Sequence, residues 1–528
     1  MLRTLALPIV AAAAIAVVPV QAATQPDALV IGMVMDTLTT FDPADVSALE
    51  PSEVVANFYD RLVEIAPADL SQVLPSLAES WEYDGEGRVL TFELRSDATF
   101  SGGDPVLAED VAWSLQRVLK LEMVAAGELR QWGFTADNAE QSFVAVDEDT
   151  FQVHLPEDIA PELFLVTLAG TVGSVLDRDE VLRHEQNGDL GRNWLISAAA
   201  GSGPFTLTDW RPNNILIATR RDDYWGGAPQ IRRVMLRHIP ESGSQRLQLE
   251  AGDLDVAKGL NTSDLGALAN KDDFTIERVQ GFGFYVLALN QEVEALANPL
   301  VREAFRHMLD WPGLAGSVMQ FSGIPHQNVV PQGMVGASNA LPYDFDLERA
   351  RELLAEAGYA DGFSVSVYPS SASSPFMELA ESLQATAAQV GVNVEIVAGN
   401  NADRFRNRED YQIFVGRTTS KLPDPLGTLQ THASNPDNSD ESRNTNLNAW
   451  RVAWDTPELT AMVDALRKPL DPEKRQQLII DIRELYDAQS PAIIPFFQRV
   501  DAFARSANVE GYVGSPIWVT RWDTVTKQ

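Results

Sequence analysis

Two periodicities alternate along this chain and divide it into regions. Ala28–Val34 is a continuous apolar run read as an opening strand, followed by a polar turn at Asp36–Thr40. Three later stretches alternate apolar and polar residues around turn-forming clusters: Trp81–Leu94 about Asp84-Gly85-Glu86-Gly87, Phe143–Leu155 about Asp147-Glu148-Asp149, and Gly201–Tyr224 about Asn213-Asn214. Each predicts a hairpin. Helical spacing appears over Val54–Val63 and Asp104–Leu119. Beyond Arg232 the texture becomes strand, helix, strand: Val234–Leu236, Ser242–Ala251, Leu254–Val256. A second such series opens at Phe284–Asn290 and runs through a helix at Pro299–Leu309. The clearest element is Leu347–Gly358, where Leu347, Ala350, Leu353, Leu354 and Ala357 form one stripe between an Asp346 N-cap and a Gly358 C-cap. Strands at Phe363–Tyr368, Val392–Val397 and Tyr411–Val415 follow, with a helix at Phe376–Val390 between the first two. Helices at Glu458–Lys468 and Pro472–Ala488 precede a closing strand, Ala492–Phe497. Alternating strands and helices predict α/β layers. With no low-complexity linker between the two series, the expectation is two α/β lobes joined by crossing strands.

The first residues change the compartment. Arg3, an apolar run from Leu5 to Val20, and small residues at Val20-Gln21-Ala22 predict a cleaved secretory signal over residues 1–23. The chain has no cysteine, so neither a disulfide nor a lipid-attachment thiol is expected, and the reading is a periplasmic protein. At 528 residues it exceeds what one hydrophobic core supports. A net charge of −35 repels nucleic acid and anionic membrane surfaces, so neither is an expected partner.

Catalytic spacings are missing. Gly201-Ser202-Gly203 and Ser101-Gly102-Gly103 do not fit a nucleophile elbow. Gly281-Phe282-Gly283 begins like a dinucleotide fingerprint, but Val286 stands at the third glycine position. His184-Glu185 is not followed by a second histidine at zinc-protease spacing, and six histidines without cysteine offer little to a transition metal. The polar stretch Asn435–Glu441 lacks the central glycine of a calcium loop and reads as a solvated loop. No enzyme activity and no cofactor are expected.

Several segments carry a family likeness. Leu77-Ala78-Glu79-Ser80-Trp81, Phe92-Glu93-Leu94-Arg95, Phe100-Ser101-Gly102-Gly103-Asp104-Pro105 and Ala108-Glu109-Asp110-Val111 resemble the signature of peptide/nickel-type extracellular solute-binding proteins, the capture subunits of ABC importers. Gly201–Phe205, Asp223–Gly227, Leu249–Asp255, Val301–Phe305, Ala350–Tyr359 and Asp471–Arg475 match in order. The resemblance implies a two-lobed periplasmic-binding-protein fold of the cluster C type. Lobe I would span 24–280 with a subdomain inserted at about 50–200, lobe II 285–490, and 495–528 would return to lobe I. The hinge would be Gln280–Phe284 and Gln498–Val500, with Gly281 and Gly283 absorbing rotation. A monomer is expected, closing on a small-molecule ligand and docking on inner-membrane permease subunits. A periplasmic hydrolase and a chaperone or sensor on the same scaffold are the alternatives. Trp81, Trp225 and the Gly102-Gly103 turn are read as scaffold, and Arg302 as the partner of a nearby acid.

The same resemblance locates a ligand site. Peptide-binding members carry a lobe II aspartate that pairs with the ligand's α-ammonium, a few residues before an Asp-Pro or Pro-Asp pair. Pro423-Asp424 sets that frame and puts Thr419 at the aspartate, with Arg417 two residues before it. A neutral hydroxyl there argues against an obligatory ammonium, and Arg417 suits an anionic group. Side chains two apart on an extended loop face one side, which joins Arg417 to Thr419. Asp424 is the alternative ammonium partner. Thr37, Phe284, Tyr285, Thr418, Asn446 and Trp450 complete the candidate ligand contacts. Short peptides or amino-acid-derived acids are the first ligand class, then opines, oligosaccharides and chelated metals.

Overall fold

The computed structural model describes residues 24–528 apart from Ser47, 67–68, 85–87, 157–158, 373–374, Lys421 and Trp518. The signal segment 1–23 and most of the Asp84–Gly87 turn lie outside the described residues. A single eleven-stranded sheet runs through both halves of the chain. Its centre is a pair of long antiparallel strands, Phe274–Leu289 and Ile493–Ser506, which we call the crossing strands. On the lobe I side the second crossing strand pairs with Val256–Ala257, then parallel Ala28–Met33, then Arg233–His238 and the hairpin of Ile215–Arg220 with Phe205–Arg211. On the lobe II side the first crossing strand pairs with Ile413–Arg417, then parallel Phe363–Pro369 and Val392–Ile396.

Side-chain alternation explains the layers. In lobe II, Tyr285, Leu287 and Leu289 point into a core shared with helices Pro299–Met308, Leu347–Glu356 and Phe376–Ala388. Phe284, Val286 and Ala288 point into the opposite core, against helices Pro425–Ala433, Pro457–Ala465 and Pro472–Ala488. A strand covered on both faces reads as continuously apolar, as 284–289 does. Asp346 caps its helix by accepting from the Glu348 and Arg349 amides, and Gly358 takes the left-handed conformation, φ +89°.

A four-stranded antiparallel sheet, in the order Ala78–Tyr83, Val89–Leu94, Thr150–His154, Phe143–Ala145, packs on helix Ala108–Lys120 and forms the inserted unit. That helix begins four residues later than its spacing suggests, because Thr99 bridges Pro105 and closes a turn with Gly103 at φ +96°. The segments that carry the family likeness mostly hold this scaffold together. Arg95 stacks on the Trp225 ring at 3.7 Å. Buried Asp60 accepts from Ser202 Oγ at 3.1 Å, Tyr224 Oη at 3.0 Å and Trp225 Nε1 at 2.9 Å. Arg302 departs from its expected role. Its guanidinium donates to the Ala297, Leu296, Gln489 and Ser490 carbonyls and to Gln291 Oε1, not to an acid, and burial pushes it down to about 10. A helix C-terminus full of orphan carbonyls serves a buried arginine as well as a carboxylate does.

The crossing ladder shifts register between Gln280 and Phe284. Gly283 is there for a close approach, with ordinary negative-side backbone: a Cβ would lie 2.1 Å from the Thr418 carbonyl oxygen. Gly283→Ala should therefore force the strand off Thr418, costing about 1–3 kcal/mol of stability. Thermal unfolding of the variant should show a lowered midpoint, whereas Gly281→Ala, whose nearest contact is 3.9 Å away, should not.

Candidate functional site

Parallel strands in both lobes aim their C-terminal ends at the gap between them. In lobe I these are Ala28–Met33, leading to Thr37, and Val256–Ala257, leading to Lys258. In lobe II, Ile413–Arg417 runs antiparallel to the first crossing strand and sets Arg417 opposite Tyr285. Open α/β sheets bind ligands in this kind of crevice. Here it is a cleft of about 690 Å³, floored by residues 499–503 of the second crossing strand. That size suits a small molecule.

The structure brings four of the expected site residues to this cleft: Thr37, Tyr285, Arg417 and Thr419. Arg417 and Thr419 are exposed while Thr418 between them is buried, as two-residue periodicity requires. Thr418 instead turns its hydroxyl to His432 Nε2 at 3.0 Å inside lobe II. Phe284 is also core: it stacks on His326 with ring centroids 5.3 Å apart and meets His432 edge-on. Burial pushes both of those histidines down to about 4, so they stay neutral at physiological pH. Trp450 is buried, its indole N–H donating to the Ser439 carbonyl at 2.8 Å. Asp424 caps helix Pro425–Ala433 through the Leu426 amide and pairs with Arg475 at 2.7 Å. It lines a different cavity, of about 930 Å³, along the first crossing strand. Asn446 is exposed on a third, about 310 Å³, facing Glu128 and Gln131 of the inserted unit.

Charged groups missed by sequence reasoning complete the cleft: Glu50, Lys258, Arg499 and Asp501. Arg499 lies within the expected hinge and Asp501 just past it, two apart on one strand, a spacing that could have flagged them. They pair at 2.6 Å; burial, and then the nearby Arg417 charge, lower the Arg499 pKa. Lys258 is joined to buried Glu53, which also accepts from Tyr512 Oη at 2.5 Å and Trp522 Nε1 at 3.0 Å. Arg417 differs: among the described residues no hydrogen bond or ion pair ends on its guanidinium. Arg417 thus presents an exposed planar fork of donors to the cleft. No three metal-ligating side chains converge among the described residues, and no described helix is long and apolar enough to cross a membrane.

Known proteins share this architecture. The chain is 28% identical over 459 residues to the "Probable D,D-dipeptide-binding periplasmic protein DdpA" of Escherichia coli K12, covering 84% of this chain and 82% of that protein. It is 25% identical over 478 residues to the "Dipeptide-binding protein" of the same organism, with 86% of each covered. The solved structure of HbpA2 from Haemophilus parasuis superposes with a TM-score of 0.80 at 24% identity, over 95% of this chain and 100% of that one, and so has the same fold. The family model described as "Bacterial extracellular solute-binding proteins, family 5 Middle" matches residues 72–440. A match of that extent, on a two-lobed α/β scaffold with a cleft at its crossing strands, places the chain in the family 5 bacterial extracellular solute-binding proteins.

Proposed function

We propose that this solute-binding protein works in the periplasm, captures a small molecule bearing an anionic group between its lobes, and delivers it unchanged to the permease of an ABC importer. The observation that carries this reading is Arg417, a guanidinium on the cleft wall without a protein counter-charge among the described residues. Carboxylate or phosphate fits its fork bidentately. Short peptides and amino-acid-derived acids are the leading class, in keeping with the dipeptide named for two relatives. The family resemblance puts Thr419 where peptide-binding members carry an aspartate, so in this reading recognition rests on the anionic end. Native mass spectrometry of protein taken from its own host tests this: the bound adduct should be a small acid, and an adduct without an acidic group would overturn the reading.

Closure is the second consequence. The crossing strands are continuous through both lobes, and their ladder is interrupted only near the gap. Small-angle scattering should show a smaller radius of gyration once ligand saturates the cleft. An unchanged radius at saturation would count against capture by closure.

A further inference from the structure

Lobe II also touches the inserted unit, whose four-stranded sheet is separate from the eleven-stranded one that joins the lobes. The contact lies just past the end of helix Pro457–Ala465 in lobe II. There the Arg467 carbonyl accepts from the Ala160 amide at 2.7 Å, and Ala160 immediately precedes helix Pro161–Leu168 of the inserted unit. The Arg467 guanidinium donates to the Gln131 carbonyl, at the end of helix Ala126–Arg130, and lies 5.9 Å from the centre of the Trp132 ring. Leu466 and Val463 belong to the same buried cluster as Trp132 and Leu163. None of these residues lines the 690 Å³ cleft, so the seam is formed by protein groups alone.

Its chemistry lets the seam break and re-form. Carbonyls at helix C-termini and amides at helix N-termini lack intrahelical partners, and water satisfies them nearly as well as the opposite wall does. Arg467 answers one such helix-end carbonyl, where a cationic side chain is favoured. The apolar part is narrow. Cavities of about 930 and 310 Å³ border it, one lined by Ala160, the other by Gln131, and both by Val166. Small contacts of this kind between units of one chain permit relative motion. We infer that Arg467 is a positioning residue for capture, a latch that holds lobe II to the inserted unit and keeps part of the unliganded protein closed. A solute's apparent affinity scales with the fraction of protein already in the binding-competent state. Arg467 then raises affinity for every solute alike, while the cleft residues choose among solutes. The inserted unit thereby takes a part in capture beyond that of scaffold. This inference rests on capture between moving lobes and is independent of what Arg417 holds.

The experiment needs no solute. Small-angle scattering gives the radius of gyration of the unliganded mature protein, and hydrogen exchange read by mass spectrometry follows the Ala160 amide. Both are applied to the wild type, to Arg467→Ala and to Lys468→Ala, which removes an exposed charge beside the seam. Arg467→Ala should enlarge the radius and speed exchange at Ala160 about tenfold or more. Amides within Tyr285–Leu289, a stretch that pairs with strands on both sides, should keep their wild-type rates. That local pattern separates a latch from a general loss of stability, which would speed exchange at both places. Lys468→Ala should match the wild type in both measurements. The latch is overturned if the wild-type Ala160 amide exchanges as freely as an exposed one, or if Arg467→Ala matches the wild type. It is overturned equally if Arg467→Ala speeds Ala160 and Tyr285–Leu289 alike, or if Lys468→Ala opens the protein as far as Arg467→Ala does. Each of those results leaves the Arg417 reading standing, because no solute takes part.

Discussion

Arg417→Ala is expected to weaken binding of the solute by well over tenfold, with its fold and melting point unchanged. In a closed cleft the guanidinium and an anionic ligand group form charge-assisted hydrogen bonds shielded from solvent. Losing one partner of such a pair costs on the order of 2–5 kcal/mol. Because Arg417 is exposed and has no protein partner among the described residues, its removal leaves nothing unsatisfied in the unliganded protein. The loss should therefore fall on affinity alone. Arg417→Lys should recover only part of it, since an ammonium cannot copy the planar fork. Arg349→Ala provides the contrast. That arginine pairs with Glu352 at 3.0 Å on an exposed helix face, where ion pairs contribute about 0–1 kcal/mol. Calorimetric titration of the solute recovered from the host decides the matter. If Arg417→Ala and the wild type agree within about threefold, Arg417 is a bystander in recognition.

Much of this arrangement was legible in the residue pattern, and its limits have physical causes. Period-two spacing put Arg417 and Thr419 on one side, and the strand end keeps them there with Thr418 turned inward. The same rule separates Phe284 from Tyr285, but spacing alone does not say which helix layer borders the cleft. Both rings are buried, and only Tyr285 reaches the cavity wall. Asp424 carried a readable signal that the family frame obscured: an Asp before a Pro opening a helix is an N-cap, which is its role here. The lobe I halves of the crossing strands escaped notice. Phe274–Gln280 is half-buried along an edge of the lobe I sheet, so its alternation is weak, whereas the 284–289 half is covered on both faces. Lys258 and Glu50 had no local signal. They meet the cleft because a two-residue strand and a helix start happen to end there, which is a property of the assembled fold.

The largest stability effect is expected at Asp42→Ala. Asp42 follows the opening strand in Phe41-Asp42-Pro43, and Arg117 lies on the Ala108–Lys120 helix of the inserted unit. Their bidentate pair, 3.1 and 2.6 Å, has both side chains fully buried. Arg117 Nε also donates to the Leu190 carbonyl at 2.8 Å, and Nη1 to Met123 Sδ at 3.4 Å. Removing the aspartate leaves a guanidinium sealed between lobe I and the inserted unit with no counter-charge. Such a break costs about 3–5 kcal/mol. Urea unfolding at neutral pH should show it, against under about 1 kcal/mol for Glu352→Ala at the exposed pair with Arg349. The pair's own worth is a separate quantity, because burying two charges is itself costly. Asp42→Ala combined with Arg117→Met removes both charges, and Met can fill part of the space. The double variant should be more stable than Asp42→Ala alone. If Asp42→Ala instead lowers stability by less than about 1 kcal/mol, the pair is solvated in practice, and the apolar contacts around helix Ala108–Lys120 hold the inserted unit to lobe I.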